Sequence, residues 1–573
     1  MAKGGLKGRP EPDDGSGGDG GGDGGGVQVA DTWIFLGDSL TDNGLFHDLS
    51  SDFLSVTAPF QTDGTDYSDS FTNGIVYADT WMKLNGTAEA DYINLALGGA
   101  EATGVKKVSS YINKYSNLTA SNGQTFSIVE TETPQVNDPG SVYDGALLAG
   151  WDINLAGQTA RYLEYYEDDP NSFTTASIFI GANDLAKFEF NIFDYLLFGQ
   201  VDRFARDIAD AIEDSARLLV ADGVDRIVLN TMPIARLFYA WDQADPLERD
   251  IGDDLVNSTT SAILDAANRL RADGIEVEVI RIDRISYELN YDQETFGFGT
   301  VEPYLLGYGG DPVWHETSPG VFEPSFTLNP DRGDWRMDQR LFYDEIHPTE
   351  AMHDVLAVFS HESLTSNVIF GNNSGNNLRG SGSDDLIMGR DGVDQIDGRA
   401  GNDVILAGRG SDTVEGGTGS DLVIGGSGND TLRGGDQADL LAGGPGTDWM
   451  EGGKGNDLLI GGHDGDTMLG NAGADIFLFI EDDLTADNDT NGGSVDGGGG
   501  NDTLWLVLTP ETAALLGETP STADLASLDL TVSSVEEVVV FSYTEFEEFK
   551  LAAALPDSDL DARLVEGDLW GVA

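Results

Sequence analysis

A nine-residue repeat fills residues 371–478 and strongly limits how this part of the chain can fold. Twelve units follow one another without insertion, as in Gly416-Gly-Thr-Gly-Ser-Asp-Leu-Val-Ile, and a further unit returns in phase at 497–505. The sixth position is aspartate in eleven of the twelve units and Asn376 in the first, and the eighth position is apolar in all twelve. Each unit therefore predicts a glycine turn followed by a three-residue strand whose middle side chain points inward.

Stacking of the units follows from their size, because one such strand buries too little apolar surface to hold itself. The stack aligns the sixth-position aspartates in rows, and rows of carboxylates repel one another unless cations lie between them. Carboxylate and turn carbonyl oxygens are hard ligands that suit Ca²⁺. We therefore predict several structural Ca²⁺ ions and no organic cofactor. The candidate ligands are Asp385, Asp394, Asp403, Asp412, Asp421, Asp430, Asp439, Asp448, Asp457, Asp466, Asp475 and Asp502.

These units resemble the RTX calcium-binding nonapeptide repeats. The resemblance implies a parallel β-roll with two units per coil and Ca²⁺ in the turns. Ser374, Ser383, Gln437 and Asp464 at the fourth position depart from the pattern, which weakens the prediction of ion sites in those units. A disordered Gly/Asp linker is the alternative interpretation, but it does not explain the apolar eighth position.

Length and composition exclude several classes of protein. The chain has 573 residues, which is enough for two to four domains, no cysteine, and a formal net charge of −71. The absence of cysteine excludes disulfides, thiol catalysis and cysteine–zinc sites, and the negative charge argues against nucleic-acid binding through phosphates. The sequence contains no run of about 18 apolar residues and therefore predicts no membrane-spanning helix. The N-terminal residues also lack the basic-then-apolar pattern of a cleaved signal peptide.

The first half of the chain predicts an α/β domain over residues 27–366, after a low-complexity Gly/Asp-rich tail at 1–26. Strand-like runs alternate with segments that have apolar residues at helical spacing, and this alternation predicts a parallel sheet covered on both faces. The predicted strands are Trp33–Leu36, Ile178–Gly181, Arg226–Thr231 and Val277–Ile282, and the predicted helices lie at Val201–Ala221, Leu255–Leu270 and Glu350–Phe359.

Five residues of this half suit nucleophilic catalysis by a serine. Ser39 lies two residues past the first predicted strand, at the sheet edge where open α/β sheets bind ligands. A serine hydroxyl needs a base to take its proton, and His347 is the candidate; Asp344, three residues earlier, can orient the imidazole and stabilise its charged form. The oxyanion of the intermediate needs fixed donors. The backbone N–H groups of Ser39 and Gly99 and the side-chain amide of Asn183 can supply them.

The order of these motifs resembles that of the GDSL (SGNH) hydrolases. The matching stretches are Gly37-Asp-Ser-Leu40, Gly98-Gly-Ala100, Gly181-Ala-Asn-Asp184 and Asp344-Glu-Ile-His347. The sequences around the first and last of these stretches look most like those of the lipase/phospholipase branch. The resemblance implies a three-layer α/β/α fold and an acyl-enzyme on Ser39. Asp344 and His347 are then its partners, and Gly99 and Asn183 the oxyanion donors.

The segment after the repeats predicts where the protein is located. The predicted β-roll covers residues 367–505, and the acidic segment 506–573 that follows it resembles the uncleaved C-terminal signal of type I secretion. A second interpretation is that this segment caps the open end of the roll. We therefore predict a secreted, extracellular carboxylic ester hydrolase whose partners are an ester substrate and the type I secretion apparatus.

Two other functions stay open at this level. A polysaccharide O-deacetylase fits, because the family that the chain resembles also acts on sugar esters. A calcium-dependent adhesin or matrix protein with an inert hydrolase fold is the alternative from another class, although a binding module does not need all five catalytic candidates. The apolar segment Phe188–Phe198 has two readings as well, a lid over the active site or a core-packing helix.

Overall fold

The computed structural model describes residues 32–38, 76–85, 92–96, 100–103, 116, 118–127, 152–166, 172–189, 200–237, 246–296, 298, 305–306, 313–318, 321–325, 327–328, 347, 349–462, 464–480, 493–508, 512–513, 516, 520–521, 525 and 530–542. The chain forms two compact units. The first comprises Met1–Tyr287 and Val301–Ala357, and the second comprises Glu288–Thr300 and Val358–Ala573.

A five-stranded parallel sheet forms the centre of the first unit. The described strands of this unit are β1 (Thr32–Gly37), β2 (Ile93–Asn94), β3 (Leu118–Thr119), β4 (Thr125–Phe126), β5 (Thr174–Phe179), β6 (Arg226–Asn230), β7 (Glu276–Ile280), β8 (Leu305–Leu306), β9 (Val313–Ser318), β10 (Val321–Ser325) and β11 (Thr327–Leu328). The parallel sheet has the order β2-β1-β5-β6-β7, and the other strands pair antiparallel as β3 with β4, β8 with β11 and β9 with β10.

Helices alternate with these strands along the chain, which confirms the predicted α/β class with its three α/β/α layers. The described helices are α1 (Tyr77–Leu84), α2 (Leu155–Tyr165), α3 (Ala182–Glu189), α4 (Gln200–Asp222), α5 (Pro246–Ala272), α6 (Ile282–Tyr291) and α7 (Glu350–Thr365), with 3₁₀ turns at Ala235–Leu237 and Gln293–Phe296. The helix predicted from Leu255 begins earlier, at Pro246, because proline suits the first helical position, where its missing N–H has no intrahelical partner.

The core of the first unit lies between the sheet and its helices. Ile34 and Leu36 of β1 belong to the same buried apolar cluster as Ile208 and Ile212 of α4 and Ile263 of α5. These helical residues recur on one face of their helices, which is the pattern that predicted the helices. The apolar segment Phe188–Phe198 lies almost wholly outside the described residues, so the choice between its two interpretations stays open.

Two parallel sheets form the second unit. The strands are β12 (Asn367–Phe370), β13 (Asn377–Arg379), β14 (Asp385–Asp391), β15 (Gln395–Ala400), β16 (Val404–Arg409), β17 (Thr413–Thr418), β18 (Leu422–Ile424), β19 (Thr431–Asp436), β20 (Leu440–Ala442), β21 (Trp449–Lys454), β22 (Leu458–Ile460), β23 (Thr467–Ala472), β24 (Ile476–Ile480), β25 (Ser494–Asp496), β26 (Thr503–Leu508), β27 (Thr531–Ser533) and β28 (Glu537–Ser542). Even-numbered strands form one sheet and odd-numbered strands the other. Successive strands of the repeat therefore alternate between the sheets, which confirms the predicted parallel β-roll.

Each coil of the roll contains two repeat units. Ile387 lies opposite Ile405 in one sheet, and Ile396 lies opposite Val414 in the other, so partners are two nine-residue units apart. The eighth-position side chains of both sheets point into one shared core, where Ile405 and Val414 are fully buried. The strands are longer than the predicted three residues in several units, because parallel pairing continues into the turn, for example from Gly417 to Gly435.

The roll continues past the last recognisable repeat. β27 pairs with β25, and β28 pairs with β26 over six residues, so this part of the C-terminal segment adds a further strand to each sheet. This placement agrees with the capping interpretation for residues up to 542. The rest of the predicted secretion signal, residues 543–573, lies outside the described residues.

Candidate active site and aspartate rows

Three of the predicted site residues follow three neighbouring strands. Ser39 comes two residues after β1, Gly99 five residues after β2 and Asn183 four residues after β5, and the sheet places these strands side by side in the order β2-β1-β5. Because the strands are parallel, all three loops leave from the same edge of the sheet, where open α/β sheets bind their ligands. Ser39, Gly99 and Asp344 themselves lie outside the described residues, so their roles stay predictions.

The strand β1 is fixed at its end by a side chain that sequence reasoning missed. Gln158 of α2 accepts a hydrogen bond from the Gly37 N–H at 2.9 Å and donates one to the Gly37 carbonyl at 2.7 Å. Gln158 is fully buried, so both bonds are shielded from water. The amide thus holds both backbone groups of the residue two positions before Ser39. The only sequence signal for Gln158 is an uncharged polar residue in an otherwise amphipathic helix.

The loop after β2 begins beside β1. The N–H of Leu95 donates to the carbonyl of Phe35 at 2.8 Å, which extends the pairing of the two strands, and Asn94 Oδ1 accepts from the N–H of Ala96 at 3.0 Å. These contacts fix residues 94–96, which precede the candidate donor Gly99 in the chain.

Asn183 lies in the first turn of α3 and is half-buried. The preceding Gly181 has a φ of +131°, a conformation that only glycine adopts at little cost, and a Cβ there would lie 3.2 Å from the sulfur of Met232. The chain therefore turns sharply from β5 into α3. The next residue, Asp184, is buried and accepts hydrogen bonds from Ala102 and Thr103. The motif that singled out Asn183 contained Asp184, but sequence reasoning gave it no role.

His347 is buried, with 4% of its surface exposed, just before α7. Thr349 caps this helix, because its hydroxyl accepts from the N–H of Met352 at 3.4 Å and its carbonyl accepts from the N–H of His353 at 3.0 Å. Further along α7, Asp354 accepts a 2.7 Å hydrogen bond from Thr80 of α1. The segment that carries His347 is thus anchored to the first unit.

His353, on α7, lies close enough to His347 for the two imidazoles to interact electrostatically. Burial, with a smaller contribution from His347, lowers the pKa of His353 to about 3. His353 is therefore neutral at neutral pH and adds no positive charge near the candidate base.

The sixth-position aspartates of the β-roll form two hydrogen-bonded rows. Along the repeat, the N–H of one aspartate donates to Oδ1 of the aspartate 18 residues later, as from Asp403 to Asp421 at 2.8 Å and from Asp412 to Asp430 at 2.7 Å. The last bond of one row spans 27 residues, from Asp475 to Asp502. Asn376 begins one row by donating to Asp394 at 2.6 Å. The rows follow the two sides of the roll, because odd and even units alternate between the sheets.

The second oxygen, Oδ2, of most of these aspartates has no hydrogen-bond partner among the described residues. The residues are Asp394, Asp403, Asp412, Asp430, Asp439, Asp448, Asp457, Asp475 and Asp502. Burial, reinforced by neighbouring aspartates, raises the pKa of Asp439 to about 9, and burial also raises that of Asp430 to about 8. Holding these carboxylates ionised therefore destabilises the roll unless a cation compensates them, which fits Ca²⁺.

Asp385 differs from the other candidate ligands. Its Oδ2 accepts hydrogen bonds from the Ser381 N–H at 2.6 Å and the Ser381 hydroxyl at 3.1 Å. This unit also carries Ser383 at the fourth position, where the sequence departs from the repeat. Within the described part of the chain, no three His, Asp or Glu side chains converge to hold a metal ion. A cation bound to these rows therefore needs backbone carbonyl oxygens as well.

Comparisons with known proteins agree with both units. A model of the GDSL-like lipase/acylhydrolase family matches residues 34–358, and a model of the RTX calcium-binding nonapeptide repeat matches four times, at residues 370–405, 406–441, 442–477 and 494–506. A similar protein, the phosphatidylcholine-sterol acyltransferase of Aeromonas hydrophila, is 22% identical over 369 residues, which cover 58% of this chain and 91% of that protein. None of the helices in the described ranges is long and apolar enough to span a membrane.

Proposed function

Because the chain belongs to the GDSL-like lipase/acylhydrolase family, we propose that it is a serine carboxylic ester hydrolase with a calcium-stabilised β-roll. The observation that carries the proposal is the edge shared by β2, β1 and β5. It gives the loops of Gly99, Ser39 and Asn183 a common origin, as a nucleophile and its oxyanion donors require.

The proposed reaction proceeds through an acyl-enzyme. His347 takes the proton of the Ser39 hydroxyl while the oxygen attacks the ester carbonyl, and Asp344 stabilises the imidazolium that forms. The N–H groups of Ser39 and Gly99 and the amide of Asn183 hold the oxyanion, each contributing roughly 3 kcal/mol to lowering the barrier. His347 then gives its proton to the departing alcohol. Water repeats the sequence on the acyl-enzyme and releases the carboxylic acid.

Lipid esters are the substrates that the comparisons favour. The similar protein is named as an acyltransferase that uses phosphatidylcholine and a sterol, and its match covers 91% of its own length. A fatty-acyl donor therefore has support that an acetylated polysaccharide lacks. The same acyl-enzyme can react with water or with an alcohol, so the acceptor is a separate property from the donor.

Acyl-chain preference tests this proposal directly. We expect the full chain in Ca²⁺ to hydrolyse 4-nitrophenyl esters, with a higher kcat/KM for octanoyl and longer chains than for acetyl, and to release fatty acid from phosphatidylcholine vesicles. Ser39→Ala is the matched control and should be inactive on every ester. A preference for acetyl esters instead identifies the deacetylase. No hydrolysis by folded wild-type protein supports the adhesin.

We also propose that Ca²⁺ binds along the two aspartate rows of the β-roll. The ion supplies positive charge where buried carboxylates face one another. The aspartates with an unpartnered Oδ2, such as Asp439 and Asp457, are the residues that would hold it, together with turn carbonyls. Asp385 is the least suited, because Ser381 already satisfies its second oxygen.

Export by a type I apparatus is the proposed route out of the cell, because RTX repeats are typical of proteins secreted in this way. Deletion of residues 543–573 should abolish release into the medium, since it removes the proposed signal but keeps β27 and β28 of the roll. Full-length Ser39→Ala, co-expressed with the same apparatus, is the control and should be exported normally. Undiminished export of the shortened chain would refute the signal.

A further inference from the structure

Asp184 joins the two segments that carry the proposed side-chain and backbone oxyanion donors. Its carboxylate accepts from the Ala102 N–H at 2.6 Å, from the Thr103 N–H at 3.0 Å and from the Thr103 hydroxyl at 2.6 Å. Asp184 directly follows Asn183, while Ala102 and Thr103 come three and four residues after Gly99. One side chain therefore ties the segment at residues 100–103, which follows Gly99 in the chain, to the start of α3.

The environment of Asp184 makes this tie specific. Only 2% of the residue is exposed, and its three partners are neutral N–H and O–H groups. Burial raises the pKa of Asp184, and the hydrogen bonds from Thr103 and Ala102 oppose the shift. Loss of the carboxylate leaves buried donors without an acceptor, which is unfavourable. The Asp184 carboxylate thus holds the segment that contains Ala102 in one position, and water does not easily replace it.

A second contact anchors the same segment from its other side. The carbonyl of Glu101 accepts from the N–H of Leu155 at 3.0 Å, at the first residue of α2. One turn further along α2, Gln158 holds both backbone groups of Gly37. Hydrogen bonds thus connect α3, residues 101–103, α2 and the end of β1 in one continuous, largely buried network.

We propose that Asp184 is a positioning residue that fixes Asn183 relative to residues 100–103, the segment that directly follows the proposed donor Gly99, and thereby supports binding of the oxyanion. This inference rests on the proposed function and extends it to a residue that does not itself touch the substrate. The oxyanion exists only in the transition state and the intermediate, so misplaced donors lower kcat and leave substrate binding largely unchanged.

The test measures kcat and KM in the full chain with Ca²⁺ and expresses kcat per active site, with the concentration of active sites taken from a separate aliquot titrated to completion with a fluorophosphonate. We expect Asp184→Asn to lower kcat by about 10²–10³-fold, comparable to losing one oxyanion donor, with KM within threefold of wild type. The affinity for a trifluoromethyl ketone, which forms an oxyanion on the serine, should fall in parallel with kcat/KM.

Thr103 provides a milder pair of variants that removes one of the three bonds. Thr103→Val is nearly isosteric and should lower kcat by about threefold to tenfold, as expected for one hydrogen bond, whereas Thr103→Ser keeps the hydroxyl and should restore most of the loss. Thr125→Val, at an exposed threonine of β4, controls for the substitution itself. If Asp184→Asn does not fold, this pair decides the matter.

The contrary result is equally distinct. If Asp184→Asn and Thr103→Val change only the fraction of titratable sites or the melting temperature, with kcat per site and ketone affinity unchanged, Asp184 has a structural role and the proposal is wrong. Failure of the proposed function looks different, because wild-type protein then shows neither ester hydrolysis nor labelling of Ser39.

Discussion

We expect replacement of His347 by glutamine to lower kcat/KM for ester hydrolysis by about 10³–10⁶-fold, the range seen when a triad base is removed. Glutamine has a similar length and remains neutral, but its amide does not take the serine proton. The measurement is steady-state hydrolysis of a 4-nitrophenyl ester, with the melting temperature recorded to show that α7 still forms. His347 is buried just before the cap of this helix, so the melting temperature is needed to distinguish loss of the base from a change in folding.

His361→Gln supplies the matched control for this substitution. His361 also lies on α7, four residues before its end, and its surface is only partly buried. We expect its kcat/KM to stay within about twofold of wild type, the scale of a substitution outside the reacting groups. A loss of less than tenfold in His347→Gln would show that another group serves as the base.

We expect removal of Ca²⁺ to unfold the β-roll. Each ion bound at 100 times its Kd stabilises the folded state by roughly 2.7 kcal/mol, so withdrawal of several ions exceeds the stability of an ordinary domain. The physical reason is the two rows of buried aspartates, because Oδ2 atoms such as those of Asp439 and Asp457 have no hydrogen-bond partner among the described residues and carry charge that a cation would offset. Hydrogen exchange followed by mass spectrometry should show peptides within residues 385–478 losing protection in EGTA and regaining it when Ca²⁺ is returned.

Variants of two neighbouring aspartates distinguish the loss of a proposed Ca²⁺ ligand from a general change in charge. Asp439→Asn removes a buried carboxylate of the row that contains Asp403 and Asp421, whereas Asp436→Asn removes a half-exposed one that pairs with Lys454. The Ca²⁺ concentration at which the roll regains half of its protection should rise for Asp439→Asn and stay the same for Asp436→Asn. Equal protection with Ca²⁺ and with EGTA in wild-type protein would contradict the calcium-dependent account of the roll.

The sequence predicts those parts of the fold that depend on local periodicity. The apolar eighth position of each unit places residues such as Ile405 and Val414 in the core of the roll, and the aspartates of the sixth position form the rows. In the first unit, the alternation of strands and helices predicts the parallel sheet. The motif order also predicts which strands carry Ser39 and Asn183, because each motif directly follows an apolar run.

Contacts between distant residues escape such reasoning. Gln158 holds Gly37 across 121 positions of sequence, and Asp184 holds Ala102 across 82. Neither contact follows from periodicity or composition, because Gly37 and Ala102 take part through backbone groups that any residue provides. The strand extensions in the roll escape for a related reason, since the pairing of Gly417 with Gly435 depends on the register of two stacked coils.

Covalent trapping of Ser39 tests the proposed serine mechanism most directly. The full chain in Ca²⁺ is treated with a fluorophosphonate, digested and analysed by mass spectrometry, with and without a competing ester. We predict one adduct, located on Ser39, that forms in step with loss of hydrolysis, forms more slowly in His347→Gln and is reduced by the ester. Hydrolysis that continues after treatment, or an adduct on another residue that accounts for the lost activity, would contradict the serine mechanism proposed for this chain.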